Sequence, residues 1–228
     1  MNPDTLLADL NDAQREAVWA PPGPILVLAG AGSGKTRVLV HRVAWLISQE
    51  CVSPHSILAV TFTNKAAGEM RGRIEGLLGT PGGALWIGTF HGLAHRLLRL
   101  HWREAGLPQT FQILDSQDQL AVVKRVMKTL NIDEEKYPPR QVAWYIADQK
   151  EQGRRAAKAE AWDPFTNRAK DVYATYEAQC RKEGVADFAE LLLRAYEMLV
   201  ADERLREHYR RRFRHILVDE FQDTNRLQ

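Results

Sequence analysis

Short apolar runs and longer stretches of helical periodicity alternate along the first part of this chain, as they do in α/β domains. Four of the runs have the length and composition of strands that are buried on both faces of a sheet. Polar residues follow the carboxyl ends of these runs, at the sheet edge where α/β proteins bind ligands. We therefore predict a parallel sheet with strands at Ile25–Leu28, Ile57–Phe62, Leu85–Phe90 and His215–Glu220.

Helical periodicity dominates the other segments. Between Gly92 and Arg214 about 120 residues pass without a clear buried strand, whereas a crossover between parallel strands needs only about a dozen. The excess predicts an inserted, all-helical subdomain. Helices are predicted at Leu10–Val18, from Val38 onward, and at Ala66–Leu78, Leu93–Ala105, Ser116–Leu130, Pro139–Gln152, Asn167–Glu183, Phe188–Leu199 and Glu203–Phe213.

The composition is that of an ordinary globular protein, with 228 residues, 45% hydrophobic and 26% charged. This length allows one large domain or two small ones. The net charge of +2 excludes a global positive field, so any site for a polyanion has to be a local patch. Cys51 and Cys180 lie far apart, and we expect reduced, structural thiols of a cytoplasmic protein. The sequence has neither an apolar run of the roughly 20 residues of a membrane span nor a secretory signal pattern.

The segment ILVLAGAGSGKTR, from Ile25 to Arg37, carries the strongest chemical signal. A strand leads into a loop with three glycines, and a helix follows Lys35 and Thr36. Backbone N–H groups of such a loop, together with the helix dipole, bind phosphate oxygens. The lysine would reach the β- and γ-phosphates, and the threonine hydroxyl would hold magnesium. The predicted phosphate loop consists of Ala29, Gly30, Ala31, Gly32, Ser33, Gly34, Lys35 and Thr36.

One position departs from the strict phosphate-loop pattern, which has glycine where Ala29 stands. The alternative interpretation is a flexible strand-to-helix turn with a chance lysine. The strand before the loop and the helix after it favour the phosphate loop.

Two carboxylates, Asp219 and Glu220, end the last apolar run. Asp219 can hold magnesium, through water, and Glu220 can orient and deprotonate an attacking water. The alternative is a helix N-cap followed by a carboxylate in the first turn. The presence of Lys35 and Thr36 elsewhere in the chain favours the magnesium and hydrolytic roles.

Polar residues at two other strand ends each have two interpretations. Sequence spacing slightly favours Thr63–Lys65 as a helix cap. The alternative is a phosphate-contacting loop with Phe62 stacked on a base. His91 is either a hydrogen-bonded structural residue or a ligand contact at the end of the third strand.

Three features elsewhere also remain open. Gln14 is either a surface residue or a reader of an adenine edge, and spacing alone does not decide. Trp144 and Tyr145 fit the core and rim of a helix better than a cofactor site. Clusters Arg154–Arg155 and Arg210–Arg212 are usually solvated helix ends, and a phosphate contact is the less favoured alternative. Expected N-caps are Asn11 or Asp12, Asp115–Ser116, and Asp187.

Six segments together resemble a known family. In order and spacing they are similar to the UvrD/PcrA/Rep group of superfamily-one DNA helicases, most closely its UvrD branch, over nearly the whole chain. Alanine in the place of the first loop glycine is this family's own form. The segments are LNDAQREAV, AGAGSGKTR, TFTNKAAGEMRGRI, GTFHGLAHRLLR, DFAELLLRA and LVDEFQDTN.

The resemblance implies roles that spacing does not. Gln14 would read adenine, and Arg37 would pack near the base. Glu220 would be the catalytic carboxylate, acting with Lys35 and Gln222. Gln222 and Asp223 would also couple nucleotide to DNA. The residues that would line a single-stranded DNA track are Thr61, Phe62, Thr63, Asn64, Lys65, Thr89 and His91.

The resemblance also implies an architecture and an activity. A RecA-like P-loop domain 1A, residues 1–90 and 214–228, would be interrupted by a helical subdomain 1B, residues 91–213. The chain would be the N-terminal portion of an ATP-dependent 3′–5′ DNA helicase of DNA repair, using ATP and Mg²⁺. Expected partners are single-stranded DNA, single/double-strand junctions, a further C-terminal motor domain and DNA-repair proteins, with no membrane. The expected location is cytoplasmic and nucleoid-associated.

Two other function classes are weighed against this one. The chain by itself could be a nucleotide- or DNA-binding module without turnover. A small-molecule kinase is disfavoured, because it leaves the segments DEFQDTN and GTFHG without a purpose. The four predicted strands also imply an unpaired sheet edge and a tendency to aggregate.

Overall fold

The computed structural model describes residues 3–30 and 32–228, which form a mixed α/β structure with short parallel strands and many helices. Within the described residues there are two compact units: residues up to Leu93 with Arg204–Asp223, and Ala94–Glu203 with Thr224–Gln228. The helices are α1 Pro3–Leu7, α2 Asp12–Trp19, α3 Lys35–Ser48, α4 Asn64–Leu78, α5 Phe90–Leu100, α6 Ser116–Thr129, α7 Pro139–Glu151, α8 Pro164–Glu183, α9 Phe188–Ala201 and α10 Glu203–Arg212. The strands are β1 Ile57–Thr61, β2 Trp86–Thr89, β3 Gln112–Ile113, β4 Val185–Ala186 and β5 His215–Val218.

The first unit is built on a parallel sheet of order β2-β1-β5. Leu58 of β1 lies opposite Trp86 of β2 and Ile216 of β5, so the three carboxyl ends meet at one edge. Val43 of α3 and Met70 of α4 are fully buried in the core that includes this sheet. The prediction of a parallel sheet is confirmed, with each strand one or two residues shorter than its apolar run.

The predicted strand at Ile25–Leu28 is wrong for this structure. The segment is irregular, and the exposed fraction of its side chains ranges from 40% at Val27 to 84% at Leu28. A strand is stabilised by hydrogen bonds to a neighbouring strand, and an apolar sequence does not supply that neighbour. Among the described residues, none of β1, β2 and β5 pairs with this segment.

The outer edge of β5 fits the expectation of an unpaired sheet edge. β5 pairs with β1 on one side, and nothing in the described part of the chain pairs with it on the other. Ile216 in this strand is 61% exposed. Because such edges can pair with other chains, aggregation at high concentration stays a prediction. A monomeric, cooperative thermal melt at high concentration would contradict it.

The second unit is mainly helical. Helices α6, α7 and α8 share a core in which Val123, Ile146, Tyr173 and Tyr176 are fully buried. The two-residue strands β3 and β4 pair in parallel. The prediction of an all-helical insertion is therefore wrong in this detail. Two-residue strands carry no periodicity, and their pairing depends on contact between segments far apart in the sequence.

Helix boundaries follow the capping residues. Side-chain oxygens of Asn11, Asp115 and Asp187 accept backbone N–H groups in the first turns of α2, α6 and α9, as predicted. Helix α8 begins three residues earlier than predicted, because Asp163 and Thr166 form a reciprocal capping box. Local side-chain chemistry thus decides where these helices start.

The aromatic pair lies where the sequence suggested. Trp144 is 70% exposed and Tyr145 only 2%, which makes them rim and core. The Tyr145 hydroxyl donates to the backbone carbonyl of Glu160 at 2.6 Å. Cys51 is exposed and Cys180 is buried, and both are free thiols.

A buried ionic network holds the second unit together. Lys150 Nζ lies 2.7 Å from Asp187 Oδ2 and 2.9 Å from Glu190 Oε2, and all three side chains are nearly inaccessible to solvent. Arg155 joins the network, so its interpretation as a solvated helix end is wrong. A sequence cluster does not show which carboxylates will surround it. The carboxylates that contact Arg155 are those of Glu177, Glu190 and Glu197.

The domain boundaries remain a prediction. The two compact units change over between Leu93 and Ala94 and between Glu203 and Arg204. Arg204–Asp223 belongs to the first unit, where Tyr209 packs against Trp86. Within the described residues, no helix is long and apolar enough to cross a membrane.

Candidate nucleotide and nucleic-acid site

The glycine loop closes on itself in front of α3. Gly34, directly before the helix, has φ of +86°, in the left-handed region. The backbone N–H and the hydroxyl of Ser33 both donate to the carbonyl of Gly30, at 3.3 and 2.6 Å. Gly32 and Ser33 are exposed, so the amino end of α3 is open to an anion. Ala31, predicted to contact nucleotide, lies outside the described residues.

Lys35 turns its ammonium group back onto this loop. Its Nζ donates to the carbonyls of Ala29 at 3.1 Å and Gly30 at 3.4 Å. Phosphate oxygens are stronger acceptors than neutral carbonyls because the hydrogen bond is charge-assisted on both sides. A triphosphate at the loop would therefore draw the ammonium away from the backbone.

Thr36 and Asp219 meet across the site. The Thr36 hydroxyl donates to Asp219 Oδ2 at 3.1 Å, although the two residues are 183 positions apart. The contact brings the first turn of α3 to the carboxyl end of β5. Two ligands on adjacent corners of a magnesium octahedron lie about 3 Å apart. The separation of the two oxygens is therefore that of two neighbouring magnesium ligands.

Glu220 has an unusual backbone conformation. Its φ is +53°, in the left-handed region that side-chain-bearing residues rarely adopt. Its Oε2 accepts a hydrogen bond from Gln222 Nε2 at 2.6 Å, and the same nitrogen lies 3.5 Å from Asp223 Oδ2. Such conformations cost about 1–3 kcal/mol and cluster at functional sites. Glu220, directly after Asp219, is therefore a candidate functional residue.

Gln14 connects α2 to the glycine loop, a contact that spacing did not predict. The side-chain Oε1 of Gln14 accepts from the backbone N–H of Asn11 at 3.1 Å, and the backbone N–H of Gln14 donates to Asn11 Oδ1 at 2.9 Å. Its Nε2 donates to the Ser33 carbonyl at 2.9 Å. The three-residue spacing from Asn11 to Gln14 is that of a capping box, and it indicates the contact with Asn11 but not the contact with Ser33. Arg37, implied to lie near a base, donates to the carbonyl of Asp9 at 3.3 Å.

The Gly34→Ala substitution should destabilise the first unit. An alanine at φ +86° is strained, and its Cβ would stand 2.9 Å from Gln14 Nε2. We expect a loss of about 1–2 kcal/mol in the free energy of unfolding, measured by urea denaturation. Gly30→Ala is the matched control, since its Cβ would meet nothing within 4 Å and its φ is not positive. Equal stability of the two variants would contradict the strain argument.

Polar residues follow β1 at the carboxyl edge of the sheet. Thr61 is only 3% exposed, whereas Asn64 and Lys65 are exposed. Thr63 Oγ1 accepts from the Ala66 N–H at 3.1 Å and caps α4, the interpretation that spacing slightly favoured. The segment therefore offers Asn64 and Lys65 to a ligand, while Thr61 supports it from the interior.

The end of β2 lies beside the end of β1. The rings of Phe62 and Phe90 meet edge to face, with centroids 5.7 Å apart. Thr89 Oγ1 accepts from the Gly92 N–H at 3.1 Å. Burial lowers the pKa of His91 to about 4, so this imidazole is neutral at pH 7. His91 can offer a ligand a hydrogen bond or a stacking surface, but no charge.

The burial of His91 should weaken the protein at acid pH. Because folding lowers the pKa from 6.5 to about 4, the unfolded chain binds the proton more readily. Its contribution to the free energy of unfolding therefore falls as the pH drops below about 7. We expect His91→Asn to remove part of the stability loss between pH 7 and 5 in urea denaturation. His55→Asn, at an exposed histidine, is the control, and identical pH dependence of all three proteins would contradict the assignment.

Comparison with known proteins identifies the family. Residues 10–228 match the family model described as the UvrD/REP helicase N-terminal domain. The chain belongs to this family. The family predicted from the six sequence segments is thereby confirmed.

Individual members of the UvrD/REP family are similar to this chain throughout. It is 58% identical to DNA helicase II of Escherichia coli (strain K12) over the whole chain, which is 32% of that protein. It is 53% identical to DNA helicase II of Haemophilus influenzae over the whole chain and 32% of the relative. Identity is 42% to the ATP-dependent DNA helicase PcrA of Bacillus subtilis (strain 168), over 98% of this chain and 30% of the relative. The chain therefore spans about a third of the length of these relatives, which are named as DNA helicases, a class of enzyme.

Proposed function

We propose that this chain is the N-terminal portion of an ATP-dependent 3′–5′ DNA helicase or translocase of DNA repair. It would bind ATP with Mg²⁺ and single-stranded DNA. In this proposal, residues 1–90 and 214–228 form a RecA-like P-loop domain, and residues 91–213 form the inserted helical subdomain. The family membership and the site around α3 and β5 support it.

The contact between Thr36 and Asp219 is the observation that carries the proposal. A P-loop threonine and an acidic residue at the end of a neighbouring strand are the protein groups that hold magnesium in P-loop hydrolases. Here their oxygens lie 3.1 Å apart. Magnesium at these oxygens would neutralise charge on the β- and γ-phosphates.

The other residues of the site take roles that follow from their chemistry. Lys35 would bind the β- and γ-phosphates once it leaves the loop carbonyls. Glu220 would accept a proton from the attacking water, and Gln222 would hold its carboxylate in place. Gln14 would read the adenine, after releasing Ser33 or Asn11.

Single-stranded DNA would lie across the strand ends. Lys65 would bind phosphate, Asn64 would donate hydrogen bonds, and the half-buried Phe62 would stack on a base. Thr89 and the neutral His91 would extend this surface along the end of β2. Thr61 and Thr63 would support it through burial and helix capping.

The second candidate is a binding module without turnover. The exposed segment Ile25–Leu28 and the engagement of Lys35 with its own loop favour it. In this case the isolated chain would bind nucleotide or DNA weakly. Hydrolysis by the whole protein would then depend on groups outside these residues, such as an arginine that contacts the γ-phosphate.

Phosphate release from ATP by the 228-residue chain separates these candidates. Reactions would contain Mg²⁺ or EDTA, with and without oligothymidylate. Magnesium-dependent turnover that oligothymidylate stimulates supports the enzyme. Nucleotide or DNA binding without turnover supports the module. Hydrolysis that is indifferent to DNA would contradict both and favour a kinase-type activity.

A further inference from the structure

The highest local charge in the first unit lies in α10 and the residues that follow it. Residues 204–214, RLREHYRRRFR, contain six arginines and one glutamate, a net charge of +5 with the histidine neutral. The whole chain carries only +2. The positive charge of this protein is therefore concentrated here, and the remainder of the chain is net negative. Such a concentration is the local patch that a polyanion requires.

Three of these six guanidinium groups are exposed and outside any ion pair among the described residues, those of Arg204, Arg211 and Arg214. Arg210 is 72% exposed and pairs with Glu207 at 2.9 Å. A charge needed only for solubility would not have to be gathered on one short helix.

Aromatic packing against β2 holds α10 in place. Tyr209 is buried, its ring stacks on Phe213 with centroids 5.6 Å apart, and both rings pack against Trp86. Arg212 also lies over Trp86, 5.1 Å from the ring centroid. Because Tyr209 and Phe213 hold one face of the helix against Trp86 of β2, the backbone of α10 is fixed in position and its opposite face is exposed to solvent. A preorganised surface binds with a smaller entropy cost.

The only carboxylate on this segment reports a positive local potential. The hydrogen bond from Arg210, together with the charges of Arg210, Arg211 and Arg206, holds the pKa of Glu207 below its usual value. The positive potentials of several arginines therefore add together at the position of Glu207. An incoming phosphate would be attracted in the same way.

This surface is separate from the candidate nucleotide site. Helix α10 leads into β5 at His215, the amino end of the strand, whereas Asp219 and Glu220 follow its carboxyl end. The arginines and the two carboxylates therefore flank opposite ends of the same strand. Neither the proposed ATP site nor the strand-end surface uses these arginines.

We propose that the exposed arginines of α10, Arg204, Arg210 and Arg211, together with Arg214 just after the helix, bind the phosphate backbone of double-stranded DNA. The choice of duplex rests on the aromatic residues of this segment. Surfaces for single strands combine positive charge with accessible rings on which bases stack. Here Tyr209 is buried and Phe213 stacks on it, so the His208 imidazole is the one exposed ring of this segment and arginine charge predominates, which suits a backbone with paired bases. The inference rests on the proposed function only in taking DNA as the polyanion.

The test is the salt dependence of binding to two probes, a labelled 20-bp blunt duplex and a 16-nucleotide oligothymidylate. In the Arg204→Gln/Arg211→Gln/Arg214→Gln protein we expect duplex affinity to fall about tenfold or more at 50 mM salt. The slope of log K against log salt should become shallower by about 2–3, since each lost phosphate contact removes about 0.9. Oligothymidylate binding should change less than twofold.

Two matched proteins control for net charge and for chemistry. Lys124→Gln/Lys128→Gln/Arg140→Gln removes three exposed positive charges from the second unit and should leave the duplex slope unchanged. Arg204→Lys/Arg211→Lys/Arg214→Lys keeps the charge and should retain most of the slope. Thermal melting of each protein should match that of the parent, because the substituted side chains are exposed.

Three outcomes would overturn the inference. The first is an unchanged duplex slope in the three-glutamine protein. The second is an equal loss for duplex and oligothymidylate, which would place the arginines in the single-strand track. The third is unchanged duplex binding with loss of binding to a polyglutamate probe, which would assign the face to an acidic protein. If oligothymidylate binding is absent already in the parent, the proposed function fails, while the duplex comparison still decides this inference.

Discussion

Replacing Lys150 by methionine should destabilise the second unit by about 3–5 kcal/mol, the usual cost of removing one partner of a buried ion pair. The ammonium group is 2% exposed and contacts both Asp187 and Glu190. Methionine is unbranched and one atom shorter than lysine, and it leaves Asp187 with the Tyr176 hydroxyl, the Glu190 N–H and the Gln119 amide as its described partners. Urea denaturation followed by circular dichroism measures the loss.

The same variant should respond to pH in a characteristic way. Burial by itself would raise the pKa of Glu190, but Lys150, Arg155 and Arg194 together hold it well below its usual range. The parent therefore loses stability when the pH falls far enough to protonate this carboxyl. Without Lys150 the Glu190 carboxyl loses one of the charges that lower its pKa, and it protonates at higher pH. The difference in unfolding free energy between parent and variant should consequently shrink from pH 7.5 to pH 4.5.

The control for Lys150→Met is Lys124→Met, at an exposed lysine of α6. Surface substitutions usually change stability by less than about 0.5 kcal/mol. If Lys150→Met were as stable as this control at pH 7.5, the buried network would not be a source of stability. A penalty that is the same at both pH values would contradict the assignment to unpaired carboxylates.

Glu220→Gln and Lys35→Ala should separate hydrolysis of ATP from its binding. Glutamine keeps the shape of Glu220 but cannot accept a proton from water, so turnover should fall about 10²–10⁴-fold with nucleotide binding retained. Lys35→Ala removes the ammonium group that contacts the glycine loop, and it should weaken the binding of ATP. Fluorescent-nucleotide titration and phosphate release, in the presence of oligothymidylate, measure the two quantities.

Both effects have internal controls. Lys65→Ala should leave nucleotide binding intact while weakening oligothymidylate binding, because this lysine lies in the first turn of α4 and outside the glycine loop. Glu16→Gln changes an exposed carboxylate of α2 and should alter neither quantity. Full turnover in Glu220→Gln would remove this residue from the catalytic role. Unchanged nucleotide affinity in Lys35→Ala would contradict the phosphate loop.

Local chemistry explains why so much of the secondary structure could be predicted. The caps at Asn11, Asp115 and Asp187 depend on a side chain and the N–H groups two or three residues later, and those relations are written in the sequence. Helix α3 begins at Lys35, directly after Gly34 and three residues before the predicted start at Val38. The apolar runs of β1, β2 and β5 are long enough to identify without knowledge of their neighbours.

The failures have the opposite origin. Leu26 and Leu28 are as apolar as any core residue, but a strand also needs a partner, and none of the described strands pairs with their segment. Arg155 looked like a solvated helix end, yet carboxylates from two other helices surround it. In both cases the deciding groups are far away in the sequence.

By itself the sequence determined the family, the starts of α6 and α9, three of the parallel strands and the residue types of the candidate site, because each of these depends on short-range pattern or on motif spacing. Only the tertiary structure decided that Thr36 meets Asp219, that Gln14 holds the loop, and that Lys150 is buried among carboxylates. It also decided that Ile25–Leu28 stays outside the sheet. These outcomes depend on contacts between groups that are far apart in the sequence. An ion pair, a strand pairing or a metal site forms only when folding brings both partners together.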